Sequence, residues 1–217
     1  MSGEDRDLTV AKKTKAKMKP TIWIVESLGF FDENAHKEGE IISRTLQLSG
    51  KRTSYTYLRT RKEFEAFAEE FGNSAYRYLH ISCHGYKGVF HTTTDMIKAS
   101  EFADILVPHV DKRRVFLSTC LAGDDKFAKD LLLRSTCLSV LAPAGDIRFD
   151  DAAIFWTAFY HLIFKDNRDS MQNDNIKKNV LQCATLVGTR FHLFYKRDGN
   201  VIQELLPRRL ARPTKRE

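Results

Sequence analysis

The sequence predicts an α/β domain in which a mainly parallel central sheet is flanked by helices and followed by a C-terminal β-hairpin. Two observations carry this prediction. Segments with strand character alternate with segments of helical spacing along the chain, which is the pattern of a parallel sheet. Two of the strand segments, VFLSTC (115–120) and LSVLA (138–142), are predominantly apolar, as strands covered on both faces must be.

The predicted strands share β-branched, aromatic or alternating residues. In chain order they are 21–27, 52–60, 76–83, 115–120, 137–144 and the two arms of a hairpin over 190–206. Asp198-Gly199 is the turn signal of that hairpin.

The predicted helices are recognised by apolar residues that recur three and four positions apart. They cover 34–50, 61–74, 101–106, 121–136, 152–165 and 174–186. The first closes on Gly50, a favourable C-cap, and Ser100 is predicted to be the N-cap of the third. In the second, Phe64, Phe67 and Phe71 predict one buried face.

The charge distribution places the basic excess in the two ends of the chain. The net charge is +7, of which 1–20 contributes +3 and 207–217 contributes +4, so that 21–206 is neutral. We therefore predict one domain over 21–206, a disordered basic tail over 1–20 and a second basic tail over 207–217. A neutral body argues against a nucleic-acid groove, and we expect the tails to bind polyanions nonspecifically at most.

Cysteine usage points to a reducing compartment, and hydropathy argues against a membrane-spanning segment. The four cysteines are widely spaced with no CxxC pair, which argues against a zinc site and against a disulfide framework. No segment is apolar over the ~20 residues that a bilayer-spanning helix needs, and no apolar leader follows the first methionine. We expect a cytoplasmic protein with free thiols and no membrane partner.

Two strand ends carry residues suited to nucleophilic catalysis. His84-Gly85 follows the strand YRYLHISC, and Cys120 ends the strand VFLSTC. Ligands of open α/β sheets bind beyond the carboxyl ends of the strands. If these strands are neighbours, an imidazole and a thiol meet at that edge, and they are the groups that cysteine proteolysis needs.

The stretches YLHISCHG (78–85) and RVFLSTCLAG (114–123), in that order, resemble the caspase–hemoglobinase group of cysteine peptidases. Within that group the chain is most similar to the CHAT domains, which themselves resemble caspases and separase. The segment LSVLAPAGDIRFDDAAIFWTAFYHLI (138–163) resembles the group's next strand, acidic turn and helix. The resemblance implies a three-layer caspase–hemoglobinase-like fold.

The same resemblance implies a role for each residue of the site. His84 would be the general acid–base, Cys120 the nucleophile, and the backbone N–H groups of Gly85 and Cys120 the oxyanion hole. The reaction would pass through a thioester acyl-enzyme that water hydrolyses. Neither a metal nor an organic cofactor is implied.

The substrate pocket is predicted from acidic residues near the two strand ends. Relatives that cleave after Arg or Lys line this pocket with carboxylates, and Asp146 and Asp151 match acidic positions of the separase-like turn. This favours a basic residue at the cleaved position, P1. Asp150 lies in the same turn and Asp124 and Asp125 follow the nucleophile. The acidic turn has a second interpretation, since Asp is also favoured at helix starts.

The remaining cysteines and histidines have simpler interpretations. Cys83 should point to the opposite face of its strand from His84 and be a core residue, as should Cys137 and Cys183. His91 and His109 lie between the two catalytic strands, where we expect an exposed surface role.

Two function classes remain open from the sequence. The first is a cysteine endopeptidase acting on a protein or peptide substrate, controlled by a regulatory protein partner or by oligomerisation. The alternative is a catalytically silent caspase-like module that serves as a binding or scaffold protein. A nucleotide-binding domain is disfavoured because ESLGFFDENA, after the first strand, lacks the dinucleotide and P-loop glycines.

Overall fold

A computed structural model of the chain describes residues 20–120, 125–165 and 171–207. The described strands are β1 (Pro20–Ser27), β2 (Arg52–Tyr57), β3 (Tyr78–Tyr86), β4 (Val89–His91), β5 (Met96–Lys98), β6 (Arg114–Ser118), β7 (Ser139–Pro143), β8 (Phe191–Arg197) and β9 (Asn200–Leu206). The described α-helices are α1 (Glu38–Leu48), α2 (Arg61–Asn73), α3 (Ala99–Leu106), α4 (Asp125–Arg134), α5 (Phe149–Lys165) and α6 (Asn173–Val187). A short 3-10 helix, Val107–His109, follows α3.

The central sheet is mixed but mostly parallel. Its strands run in the order β2-β1-β3-β6-β7-β8-β9. The first five are parallel to one another, and the C-terminal hairpin of β8 and β9 adds antiparallel pairs at one edge. A second hairpin, β4 and β5, pairs with the final residues of β3. The condition for His84 and Cys120 to meet is fulfilled, because β3 and β6 are neighbours and Cys120 follows β6 by two residues.

Helices cover both faces of this sheet. On β6, Phe116 packs in a cluster with α1, α5 and α6, whereas Val115 and Leu117 pack in a cluster with α2, α3 and α4. Successive strand residues point to opposite faces, so a central strand must be apolar on both. The predicted α/β class, with a mainly parallel sheet flanked by helices and a C-terminal β-hairpin, is confirmed, and the arrangement is compatible with three layers.

Short-range signals in the sequence mark several of these elements correctly. Asp198 and Gly199 have φ angles of 50° and 78°, the left-handed conformation that a tight hairpin turn requires at both positions. Phe64, Phe67 and Phe71 are all buried on α2, as their spacing predicts. These are features that a few neighbouring residues determine.

Two predicted boundaries are wrong. Ser100 is not the N-cap of α3, because β5 runs directly into the helix, which begins at Ala99 with Lys98 as its N-cap and no capping side-chain bond. The Ala99 N–H donates instead to the Gly88 carbonyl at 2.8 Å. The third strand does not stop before the imidazole; it continues to Tyr86, because β4 gives its last residues an antiparallel partner.

Some predictions fall on residues outside the described part of the chain. These are the basic tails, apart from Pro20 and Pro207, and the first four residues, 121–124, of the helix predicted over 121–136, which include Asp124. The side chain of Asp125 is likewise outside the description.

Candidate active site

The neighbouring strands β3 and β6 bring the two predicted catalytic side chains to one edge of the sheet. The last paired residues of these strands are Ser82 and Ser118, and His84 and Cys120 each follow two positions later. Because side chains repeat every two residues along a strand, this spacing directs all four to the same face. His84 and Cys120 accordingly line one cavity of about 70 Å³.

The imidazole of His84 is engaged by a carboxyl group from the loop between β1 and α1. Nε2 of His84 lies 2.9 Å from Oδ2 of Asp32. The second oxygen of Asp32, Oδ1, lies 3.1 Å from Nδ1 of His36. Phe149, at the start of α5, stacks on the His36 ring at 4.5 Å and meets the His84 ring edge-on at 5.4 Å between centroids. Asp32 thus joins two histidines, and Phe149 contacts both rings.

The sulfur of Cys120 contacts the loop that connects β7 to α5. Its Sγ lies 3.5 Å from the backbone nitrogen of Ile147 and 3.5 Å from the carbonyl oxygen of the same residue. The Cys120 side chain is half-buried, so a substrate can reach it from the cavity.

The inner wall of the cavity is polar and contains a buried acid. Glu38, in the first turn of α1, is only 3% exposed and lines the cavity together with Ser82, Ser118 and Thr119. Among the described residues, Oε1 of Glu38 has no hydrogen-bond partner. Leaving a buried polar group unpaired costs about 1–3 kcal/mol, so this atom marks where a polar ligand group would be stabilised.

A second buried acid lies behind this wall on β1. Glu26 is fully buried and accepts hydrogen bonds from the Gly39 N–H at 2.9 Å, the Tyr55 hydroxyl at 2.7 Å and the Ser82 hydroxyl at 3.3 Å. Burial raises the pKa of Glu26 to about 7, and the nearby charge of Glu38 acts in the same direction. The hydrogen bonds oppose this rise because they favour the carboxylate.

The other three thiols are in the protein interior, as predicted. Cys137 and Cys183 are buried in the cores on opposite faces of the sheet. Burial raises the pKa of Cys83 and Cys137 to about 12 and that of Cys183 to about 11. Cys83 belongs to the core beneath α2, α3 and α4, although part of it also borders the cavity.

The structure does not bring the predicted pocket acids to the cavity wall. Asp146 is exposed in the loop after β7, and Asp151 is half-buried in the first turn of α5. Neither belongs to the described lining of the cavity. Asp150 forms an ion pair with Arg148 and accepts the Asp151 N–H at 3.1 Å, which fits the helix-start interpretation of this acidic turn. Gly85 follows His84 in β3, opposite Phe90 of β4.

The expected exposed position of the two remaining histidines is wrong, since both are half-buried. His91 lies opposite His84 in the antiparallel pairing of β3 with β4, and its pKa is lowered by burial and by the neighbouring charge of His84. His109 packs against Gly72, where an added Cβ would lie 2.6 Å from its Nδ1.

Sequence reasoning missed Asp32 and Glu38. Asp32 stands in an irregular loop 52 residues before His84, and no local pattern links them. Glu38 starts a helix with an acid in its first turn, which normally indicates a surface position. The feature that could have revealed them is their position directly after the first strand, because the segment that follows a strand of a parallel sheet begins at the carboxyl edge of that sheet.

Comparison of the chain with models of known protein families and with curated proteins found no match. Within 20–120, 125–165 and 171–207, no group of three or more His, Cys, Asp or Glu side chains is arranged to hold a metal ion. In the same ranges, no helix has the length and hydropathy needed to cross a bilayer.

Proposed function

We propose that this protein is a cysteine endopeptidase of the caspase–hemoglobinase-like fold, with CHAT and separase-like features, in which His84 and Cys120 form the catalytic dyad. One observation carries the proposal. The imidazole and the half-buried thiol line one cavity at the carboxyl edge of two adjacent parallel strands. This is the edge where ligands of open α/β sheets bind.

The reaction requires no group beyond those at this edge. The sulfur of Cys120 attacks the carbonyl carbon of the substrate while its proton passes to His84. The resulting oxyanion accepts hydrogen bonds from the backbone N–H groups of Gly85 and Cys120. The C–N bond then breaks as His84 returns the proton to the leaving amine, which leaves a thioester. Water attacks the thioester, giving one proton to His84, which passes it back to sulfur.

The preferred substrate has a cationic side chain at P1. Glu38 supports this, because its buried carboxyl group lines the cavity beside Cys120 and its Oε1 has no hydrogen-bond partner among the described residues. An ammonium or guanidinium group entering the cavity would supply the missing donors and a compensating charge. Glu38 thereby takes the place that the sequence assigned to Asp146 and Asp151.

The setting of the reaction is part of the same proposal. We propose a cytoplasmic enzyme whose cleavage of protein substrates depends on a regulatory protein partner or on oligomerisation. A regulatory partner or a second copy of the chain would bind to surfaces outside the cavity. A purified monomer with full constitutive activity would contradict this part and leave the chemistry intact.

The direct test uses a peptide-based electrophile that ends in Arg at P1. We expect the wild type to form one covalent adduct, mapped to Cys120 by mass spectrometry, and to hydrolyse the corresponding peptide. Cys120→Ala should form no adduct, and His84→Ala should react at least about tenfold more slowly. Cys183→Ala, which removes a buried thiol on α6, is the matched control and should behave as the wild type does.

The alternative, a catalytically silent binding module, predicts a different result. In that case Cys120 would react with a simple alkylating agent no faster than a free cysteine, and a diverse peptide library would stay intact in monomeric and oligomeric fractions alike. That pair of results would overturn the enzyme proposal.

A further inference from the structure

We infer that Asp32 is the positioning residue for His84: it fixes the ring with its proton on Nε2 and so makes Nδ1 the nitrogen that exchanges protons with Cys120 and the leaving amine. The inference rests on the proposed function and concerns the same site. It adds a third residue, from the loop between β1 and α1, to the His84–Cys120 dyad.

The hydrogen-bond chemistry of the two groups carries this assignment. Nε2 of His84 and Oδ2 of Asp32 are 2.9 Å apart, an ordinary N–H···O distance. An ionised carboxylate only accepts hydrogen bonds, so the proton of this bond belongs to Nε2. A neutral imidazole carries one N–H, and its lone pair is therefore on Nδ1. That lone pair can take the thiol proton, and the imidazolium that forms lies beside a negative charge.

Asp32 is itself held by its loop. The Asp32 N–H donates to the Gly29 carbonyl at 2.9 Å, and the Asp32 carbonyl accepts from the N–H groups of Ala35 and His36 at 3.0 and 2.9 Å. This turn places His36 four residues on, where Nδ1 reaches Oδ1 of Asp32 at 3.1 Å. Two contacts thus restrict rotation of the carboxyl group, one on each oxygen.

Phe149, at the start of α5, packs against the rings of both histidines. Phe149 stacks against His36 with an interplanar angle of 15° and meets His84 at 84°, so one ring spans both histidines. Phe149 lines the cavity that contains Cys120. The His36–Asp32–His84 chain is therefore coupled to the cavity wall by packing as well as by hydrogen bonds.

The experiment compares Asp32→Asn and Asp32→Ala with the wild type in two independent measurements. The first is kcat and KM for a cleaved peptide across a pH series. We expect kcat to fall at least about tenfold with little change in KM, and the pH profile of kcat to move, because Asp32 contacts the base and does not line the cavity. His36→Ala should act in the same direction with a smaller loss.

The second measurement is the ring ¹⁵N spectrum of His84, assigned by its loss in His84→Gln. The wild type should show the tautomer with the proton on Nε2, and Asp32→Ala should show a mixture of tautomers. Glu40→Gln, which removes a half-buried carboxylate paired with Arg44 on α1, is the matched control and should leave both measurements unchanged.

Failure of this inference can be told apart from failure of the proposed function. An unchanged tautomer in Asp32→Ala, with wild-type folding by thermal denaturation, would overturn the positioning role whatever the enzyme does. A tautomer that depends on Asp32, in a protein that cleaves no peptide, would support the positioning of His84 and count against the peptidase. A loss confined to KM would reassign Asp32 to substrate binding.

Discussion

Oε1 of Glu38 lies 3.7 Å from Nε2 of His80, and neither atom has a hydrogen-bond partner among the described residues. The separation is too long for a hydrogen bond. Both side chains are buried, and Nδ1 of His80 is occupied by the Tyr160 hydroxyl at 2.9 Å. Glu38 therefore lines the cavity with an acceptor oxygen that receives no hydrogen bond, and the nearby His80 is an ion-pair partner for it only when the His80 ring is protonated.

Substitution of Glu38 should change which substrates are cleaved. In Glu38→Gln we expect kcat/KM for peptides with Arg at P1 to fall at least about tenfold, because a substrate cation would lose its buried partner. Peptides with citrulline at P1 have nearly the same shape without the charge and should be affected far less. The measurement is the Arg-to-citrulline ratio of kcat/KM in the two proteins, and an equal ratio would contradict a role of Glu38 in specificity.

Glu26 should make the folded protein less stable as the pH rises, which is the reverse of the usual effect of a carboxyl group. Its pKa is about 7 when folded, against 4.5 for an unperturbed glutamate, because burial disfavours the charged form. The folded state therefore binds this proton more tightly than the unfolded state does. Its stabilising contribution is fully present below about pH 4.5 and is lost as the pH rises through about 7.

Glu26→Gln isolates that contribution, because glutamine cannot titrate. Relative to the variant, the wild type should lose up to about 3 kcal/mol of unfolding free energy between pH 4.5 and pH 8. Urea denaturation at a series of pH values gives both curves. Parallel curves for the two proteins would show that Glu26 titrates normally.

Gly39 should not tolerate a side chain. An added Cβ would lie 2.9 Å from Cγ2 of Ile24 and 3.3 Å from the carboxyl group of Glu26, so Gly39→Ala must displace the Ile24 side chain or α1 itself. We expect a loss of about 1–3 kcal/mol. At Gly145 nothing lies within 4 Å of an added Cβ, which makes Gly145→Ala the matched control. Chemical denaturation of both should separate them, and equal stabilities would argue against this close approach.

Alkylation of the native protein should be selective for one thiol. Cys120 is half-buried beside the cavity, whereas Cys83, Cys137 and Cys183 are buried with pKa values of about 11–12 and hold almost no thiolate at pH 8. We expect iodoacetamide to modify Cys120 at least about tenfold faster than the others, and all four in urea. Intact-mass and peptide mass spectrometry would detect this, and equal labelling of Cys83 would contradict it.

Local patterns predicted the elements of this fold because they depend on neighbouring residues. The spacing of Phe64, Phe67 and Phe71 records which face of α2 is buried, and Asp198-Gly199 adopts the turn that its residue types favour. The positions of the two candidate catalytic residues at strand ends could be predicted for the same reason. His84 and Cys120 stand at the ends of apolar strands, and those strands pair once parallel strands are joined in one sheet.

By itself, the sequence determined the fold class, the placement of most strands and helices, and the strand ends that carry the candidate imidazole and thiol. Only the tertiary structure decided what surrounds them. The path of the loop after β1 brings Asp32 to His84, and the packing of α1 on β1 buries Glu38 in the cavity wall. Asp146 and Asp151, closer to the nucleophile in sequence, remain outside that wall. The physical reason is that periodicity reports which face of an element is buried, whereas contacts between loops and distant strands depend on how the whole chain packs.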